Sequence, residues 1–336
     1  MTILLYIGVF VVSVAITLFG CNLFTNAIEW LGKRFGLSEG AVGSVLAAIG
    51  TTLPETSIPL VAIFLSSGQD QESVGLGAIL GAPFMLSTLV IPILGGLLLL
   101  YAKLKKRGPE FHLNYRDVRF DLTVFLVGYG AALACAMAPD RMLHRIVAVL
   151  LLGMYGYYLW VKLSADGDED EEGGGDPDPL IFGKKYPQPP LGLVIVQIVA
   201  GLCGLVIGAE LFVFAAQYLA EVLQVSPIIL ALLIAPLATE LPEMSNSFLW
   251  LYRKKDQLAV GNVTGAMVFQ GTVPVAIGLL GTAWTLDRSA LATMVLAVVA
   301  ATLIVLQIVF TGRWRPWLLL PGAILYIGYT LYLYGT

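Results

Sequence analysis

Two stretches place carboxylates and hydroxyls inside otherwise apolar sequence: Gly50-Thr51-Thr52-Leu53-Pro54-Glu55-Thr56-Ser57 and Leu237-Ala238-Thr239-Glu240-Leu241-Pro242-Glu243-Met244-Ser245. They are related by an offset of 188 positions, so Thr51 falls on Thr239 and Glu55 on Glu243. On a helix, residues three and four apart share a face, which sets Thr51 and Thr52 beside Glu55, and Thr239 and Glu240 beside Glu243. A proline within a helix removes the bond to the carbonyl four residues back, so Pro54 is expected to free the carbonyl of Gly50, and Pro242 that of Ala238. Carboxylates, hydroxyls and carbonyls make a hard-oxygen site that suits sodium or calcium and gives soft metals no thiolate or imidazole. Three ionised glutamates in a low-dielectric setting repel one another and need cations, either one calcium with or without a proton or several sodium ions. A site neutralised alternately in these two ways is an exchanger's. Either Glu55 or Glu243 alone would also suit a protonated side chain holding two helices together; their recurrence at one offset favours a site.

The elements that position these groups are membrane helices. The chain has 336 residues, 58% hydrophobic and only 12% charged, where a soluble domain carries about 25% charged residues. The apolar segments are too long for barrel strands. Ten spans are expected, roughly 3–31, 41–66, 73–101, 120–138, 142–163, 190–221, 226–251, 257–282, 287–310 and 314–334. The first lacks the basic start and small-residue cleavage site of a signal peptide and is read as a span. With ten spans, 16 of the 19 Lys and Arg residues fall on one side and only Arg141, Arg145 and Arg288 on the other. The positive-inside rule then puts the first side in the cytoplasm and both termini outside. Cys21, Cys135 and Cys203 have apolar neighbours and no CxxC spacing, and read as small hydrophobes.

The offset extends beyond the two polar stretches. Gly20 to Ser38 matches Gly208 to Ser226, and Gly77 to Pro83 faces Gly261 to Met267 with an offset of 184. Each half is thus a five-span unit, 1–163 and 190–336, joined by an acidic, Gly- and Pro-rich linker, 164–189. Five is odd, so the second unit enters the membrane from the opposite side. The fold class expected is an all-α integral membrane protein of two inverted five-helix repeats, an arrangement that puts transport sites at the midplane. In the linker, Asp166, Asp168 and Asp170 have the spacing of an EF-hand start. Glu171 and Pro177 occupy the positions that need glycine and glutamate, so a solvated, flexible tether is expected. Glu240 faces Thr52 across the repeat and breaks its symmetry. Glu210 reads as a vestibule or helix-packing residue. Ser87, Thr88, Asn262 and Gln270 stand either near the site or in helix-to-helix hydrogen bonds.

Through Gly50-Thr51-Thr52-Leu53-Pro54-Glu55 and Ala238-Thr239-Glu240-Leu241-Pro242-Glu243 the chain resembles the cation/calcium antiporter superfamily, nearest to prokaryotic sodium/calcium exchangers. The resemblance covers essentially the whole chain. It implies that Glu55, Glu243, Thr51 and Thr239 are cation ligands, with Thr52 in place of a serine. It also implies sodium-driven calcium transport by alternating access, with spans one and six sliding across the rest. Where the family carries Gly-Ser-Asn or Gly-Ser-Asp, this chain has Gly81-Ala82-Pro83 and Gly265-Ala266-Met267, and Glu240 stands where the family has serine. The expectation is a relocated third carboxylate. Site residues are therefore Glu55, Glu243, Glu240, Thr51 and Thr52, Thr239, and the carbonyls of Gly50 and Ala238. Two other readings stay open: the same fold coupled to protons or moving manganese or magnesium, and a non-transporting membrane sensor. No cofactor, nucleic acid or obligate protein partner is implied; the expected ligands are the bilayer, calcium and sodium or protons, and the expected location a prokaryotic inner membrane.

Overall fold

The computed structural model describes residues 2–52, 56, 63, 69–138, 140–164, 177–222 and 240–335. Its elements are all helices. α1 is Thr2–Phe35, and α2 comprises Glu39–Ala41, a π-helical segment Val42–Ala47 and a further α-helical stretch, 48–52. α3 comprises Gln69–Met85, a π-helical segment Leu86–Val90 and Ile91–Lys103; α4 is Tyr115–Cys135 and α5 is Arg141–Ser164. α6 is Leu191–Val222, α7 Leu241–Tyr252, α8 Asp256–Gln270, α9 Val273–Gly281, α10 Arg288–Thr311, α11 Pro316–Leu319 and α12 Pro321–Gly335. Among the described residues, 7 helical stretches are long and apolar enough to cross a membrane. The second and seventh expected spans fall partly on residues outside the described set.

α1 and α6 are the longest uninterrupted α-helices among the described residues, 34 and 32 residues. At 1.5 Å per residue α1 extends about 50 Å, well beyond the ~30 Å of a hydrocarbon core. The two lie antiparallel against each other. Tyr6 stacks on Tyr218, Phe10 meets Phe212, and further along Gly20 meets Gly204 and Leu205. The backbones touch there: a Cβ on Gly201 would lie 2.6 Å from the Phe24 nitrogen. Small residues permit this approach in a membrane, where packing rather than apolar burial drives helix association.

The end of the linker is docked on this pair. The Asp178 carbonyl accepts from Asn26 Nδ2 at 2.9 Å and Trp30 Nε1 at 2.8 Å, both on α1. Ile181 N donates to Asn26 Oδ1 and Phe182 N to Gln197 Oε1 of α6. Leu180 is fully buried, and Ile181–Gly183 form a turn of 3₁₀ helix. A flexible tether is expected throughout 164–189; this segment departs from that because its Leu-Ile-Phe run has an apolar surface to cover.

α8, buried along its whole length, is the core against which α2, α3, α4 and α7 pack. α8 lies with its backbone on α2, where a Cβ on Gly265 would strike the Ser44 main chain. The π segment of α3 follows Pro83, which cannot donate in the helix interior. At the position equivalent by the offset of 184, α8 ends and α9 begins, so the eighth span is broken at Gly271 and Thr272 where a continuous 257–282 was expected. Thr88 and Thr272 play the same part: each hydroxyl donates to the carbonyl four residues back, Phe84 at 2.5 Å and Val268 at 2.6 Å. The tenth span is likewise split, at Leu320. The fourth begins at Tyr115 instead of 120, because Asn114 caps a polar first turn that hydropathy overlooks.

Candidate functional site

Glu240 and Glu243 open α7. Glu240 is its N-cap residue and Glu243 lies in its first turn. Pro242 lies in the first turn of this helix; the carbonyl of Ala238 that it was expected to free lies outside the described residues. Proline suits the first turn, where its missing N–H would be unpaired anyway. Both carboxyl groups are 0% exposed, and neither oxygen of either group has a hydrogen-bond partner of normal geometry among the described residues. No ion pair to Lys, Arg or His reaches them there either. A buried carboxylate left in this state is destabilising unless a cation or proton compensates it.

Of the α2 hydroxyls, that of Thr51 reaches this pair. Thr51 lies beside the Glu243 carboxyl. Its Oγ1 donates to the Ala47 carbonyl at 3.1 Å, and that of Thr52 donates to Ala48 at 2.7 Å. With each hydroxyl proton spent on its own helix, what remains toward the carboxylates is lone pairs, so these oxygens act as acceptors. Gly50 is packed under Phe24 of α1, where a Cβ would lie 2.9 Å from the ring. Gln270 of α8 lies beside Glu240. Asn262 ties α8 to α7, donating through Nδ2 to the Glu243 carbonyl at 3.1 Å and the Ser247 hydroxyl at 3.0 Å. Of the two roles open to Asn262, helix-to-helix bonding is the one seen.

Thus Thr51 lies beside Glu243, and Glu240 and Glu243 stand next to one another at the start of α7. Glu55, Thr239 and Ala238 lie outside the described residues, as does Pro54. Ser87 and Thr88 turn inward on their own helix, Ser87 donating to Pro83 O at 2.8 Å, and Glu210 is exposed on α6. Ala266 and Met267 are fully buried and supply no side-chain oxygen. One polar residue that sequence reasoning passed over is Asn246, fully buried, three residues beyond Glu243. The signal for it was present: the same helical face and the same apolar span.

Of the charged clusters that stand apart from Glu240 and Glu243, two bear on the helix packing. Lys162 Nζ pairs with Asp121 at 2.8 Å and Asp117 at 3.4 Å, while Asp121 also accepts from Thr264 of α8 at 2.7 Å and Tyr158 at 3.2 Å. The second joins α1 to the turn after α7: Lys255 pairs with Glu29, Trp250 Nε1 donates to Glu29 at 2.8 Å, and Arg253 donates to Asn22 at 2.7 Å.

Long apolar helices around buried, charge-seeking oxygens describe a multi-pass membrane protein of the ion-transporter class. A family model described as "Sodium/calcium exchanger protein" matches residues 5–164 and 193–335, and the chain belongs to that family of membrane cation antiporters, which are transporters and not enzymes. The chain is 24% identical over 332 residues to CaxA of Alkalimonas amylolytica, provisionally classed as an antiporter, covering 97% of each. It is 22% identical over 280 residues to the membrane protein MJ0091 of Methanocaldococcus jannaschii, covering 82% of each. Its fold is that of the sodium-calcium exchanger NCX_Mj: against that protein soaked with 10 mM Na+ and no Ca2+, the TM-score is 0.74 at 22% identity, over 97% of this chain and 99% of that one.

Proposed function

We propose that this protein exchanges calcium for sodium by alternating access. The cation is held at mid-depth by Glu55, Glu243 and Glu240, by Thr51, Thr52 and Thr239, and by the carbonyls of Gly50 and Ala238. The observation that carries this reading is the pair Glu240 and Glu243, both fully buried and neither ion-paired among the described residues, with Thr51 beside Glu243 and Gln270 beside Glu240. Carboxylates so arranged, buried without a countercharge, stabilise a hard cation. Removing the cation leaves charge that cannot cross the barrier, and that penalty enforces exchange over leak.

The frame proposed is two inverted five-helix repeats, 1–163 and 190–336, with the linker 164–189 in the cytoplasm and both termini outside. The repeat is supported by the matched irregularities at Thr88, in a π segment, and Thr272, at a helix break, and by the antiparallel α1–α6 pair. In this reading α1 and α6 slide as one body over α2, α3, α7 and α8, exposing the site to either side in turn. The setting proposed is a prokaryotic inner membrane.

The test is calcium uptake into proteoliposomes driven by an outward sodium gradient, then by a pH gradient. Sodium-driven uptake that Glu243→Gln abolishes is the expected result. Uptake indifferent to both gradients would sink antiport. A second reading, proton coupling, draws on the lost polar ligands: Ala82, Pro83, Ala266 and Met267 offer fewer oxygens for several sodium ions. Uptake driven by the pH gradient alone would favour it.

A further inference from the structure

We propose that Asn246 is a further ligand of the transported cation, a neutral oxygen one helical turn beyond Glu243 on the path between the site and the basic end of α1. This rests on the function proposed above. Three residues along a helix is about 4.5 Å of axial rise on the same face. Four residues further, again on that face, Trp250 donates its indole N–H to Glu29 of α1 at 2.8 Å. The face of α7 that carries Glu243 thus carries Asn246 next and closes on α1 at Trp250.

Pairing sets Asn246 apart from other buried amides. It is 0% exposed, and neither Oδ1 nor Nδ2 has a hydrogen-bond partner among the described residues. Asn26, by contrast, donates to Asp178 O at 2.9 Å and accepts from Ile181 N at 3.1 Å. The amide nitrogen of Asn262 is bonded to α7 twice, although its Oδ1, like that of Asn246, has no partner among the described residues. Buried polar groups in native proteins are bonded with few exceptions, and an exception in an ion path points to a ligand. A carboxamide oxygen is a hard, uncharged donor, suited to sodium and calcium alike. It supplies from α7 an oxygen that Ala266 and Met267 of α8 do not. Beyond it the next acid toward the basic end of α1 is Glu29, held by Lys255 and Trp250.

The experiment uses the purified full chain in detergent, with thermal unfolding titrated by calcium chloride and by sodium chloride. Leucine shares the branching of asparagine at Cγ and leaves no polar atom unpaired, so Asn246→Leu is expected to have an ion-free Tm at or above wild type. Its apparent calcium affinity is expected to weaken about tenfold or more, the scale of one lost hard-oxygen contact to a charge. Asn246→Asp is expected to shift preference toward calcium over sodium by about tenfold, since an added negative charge repays a divalent ion more than a monovalent one. Wild-type calcium affinity in Asn246→Leu, or a fall of its ion-free Tm with the calcium response kept, makes Asn246 a packing residue and overturns the proposal. Should the leucine variant not fold, an unchanged calcium-to-sodium preference in Asn246→Asp overturns it. Glu243→Gln separates the two levels: if it keeps the calcium-induced rise in Tm, the site reading itself fails, and if it loses the rise while Asn246→Leu keeps it, only the role of Asn246 does.

Discussion

The ammonium of Lys255, just past α7, pairs with the carboxylate of Glu29 on α1, and the indole of Trp250 donates to that same carboxylate at 2.8 Å. One acid on the helix proposed to slide is thus held by two groups on the frame. The Lys255 side chain is 18% exposed and that of Glu29 5%, so solvent screens the pair only in part. Releasing it by Glu29→Gln should favour opening at this end. A coupling of about 1–3 kcal/mol corresponds to roughly 5–150-fold in the equilibrium. Amide hydrogen exchange over 252–256 should rise by at least about fivefold. Unaltered exchange there, with unaltered flux, would mean the contact is incidental to gating.

Glu240→Ser restores the residue type that the resemblance expects at this position. One negative charge is lost from a buried site, so calcium should suffer more than sodium, by about tenfold in relative affinity. Competition of sodium against radiolabelled calcium uptake measures the ratio. If the ratio stays at its wild-type value, Glu240 is no part of the cation site.

Lys162→Met leaves Asp121 buried with its charge opposed only by Thr264 and Tyr158. Breaking a buried pair by removing one partner costs about 3–5 kcal/mol. A marked fall in Tm is expected, largely recovered by Asp121→Leu in the same chain, because an apolar replacement of both partners removes the orphaned charge. Equal stability of Lys162→Met and wild type would show that the pair contributes nothing.

Gly201→Leu pushes a side chain into Phe24, whose nitrogen lies 2.6 Å from the added Cβ. The helix pair must separate, at about 1–3 kcal/mol or more. Gly153→Ala, with nothing within 4 Å of its Cβ, is the control and should be neutral or slightly stabilising. Similar Tm values for the two variants would argue that α1 and α6 are not in backbone contact.

Much of the site was legible because charge in an apolar span is conspicuous: Glu240, Glu243 and Thr51 stand out in one dimension and meet in three. Asn246 carries the same signal but does not recur at the repeat offset, where Ile58 stands, and so escaped a search guided by symmetry. Lys162 was counted among the solvent-side basic residues; it is buried between Asp117 and Asp121. A tally of charges by side carries no information on pairing, which only tertiary packing decides. The π segments of α2 and α3 were hidden for a similar reason. One extra residue in a turn barely disturbs a hydrophobic pattern, yet it rotates every later side chain on the helix. The docking of Leu180 was masked by the acidic, glycine-rich composition ahead of it.

The linker contact through Asp178 has a mechanical consequence. Glu172, the last acid of the tract that begins at Asp166, lies six residues before Asp178, and six residues span at most about 20 Å of chain. Because Asp178 is bonded to Asn26 and Trp30, the densest negative charge in the protein is leashed to the travelling helices, not to the frame. If α1 moves as proposed, whatever grips that tract, a basic surface or a layer of counterions, holds a handle on α1 and adds drag to the stroke.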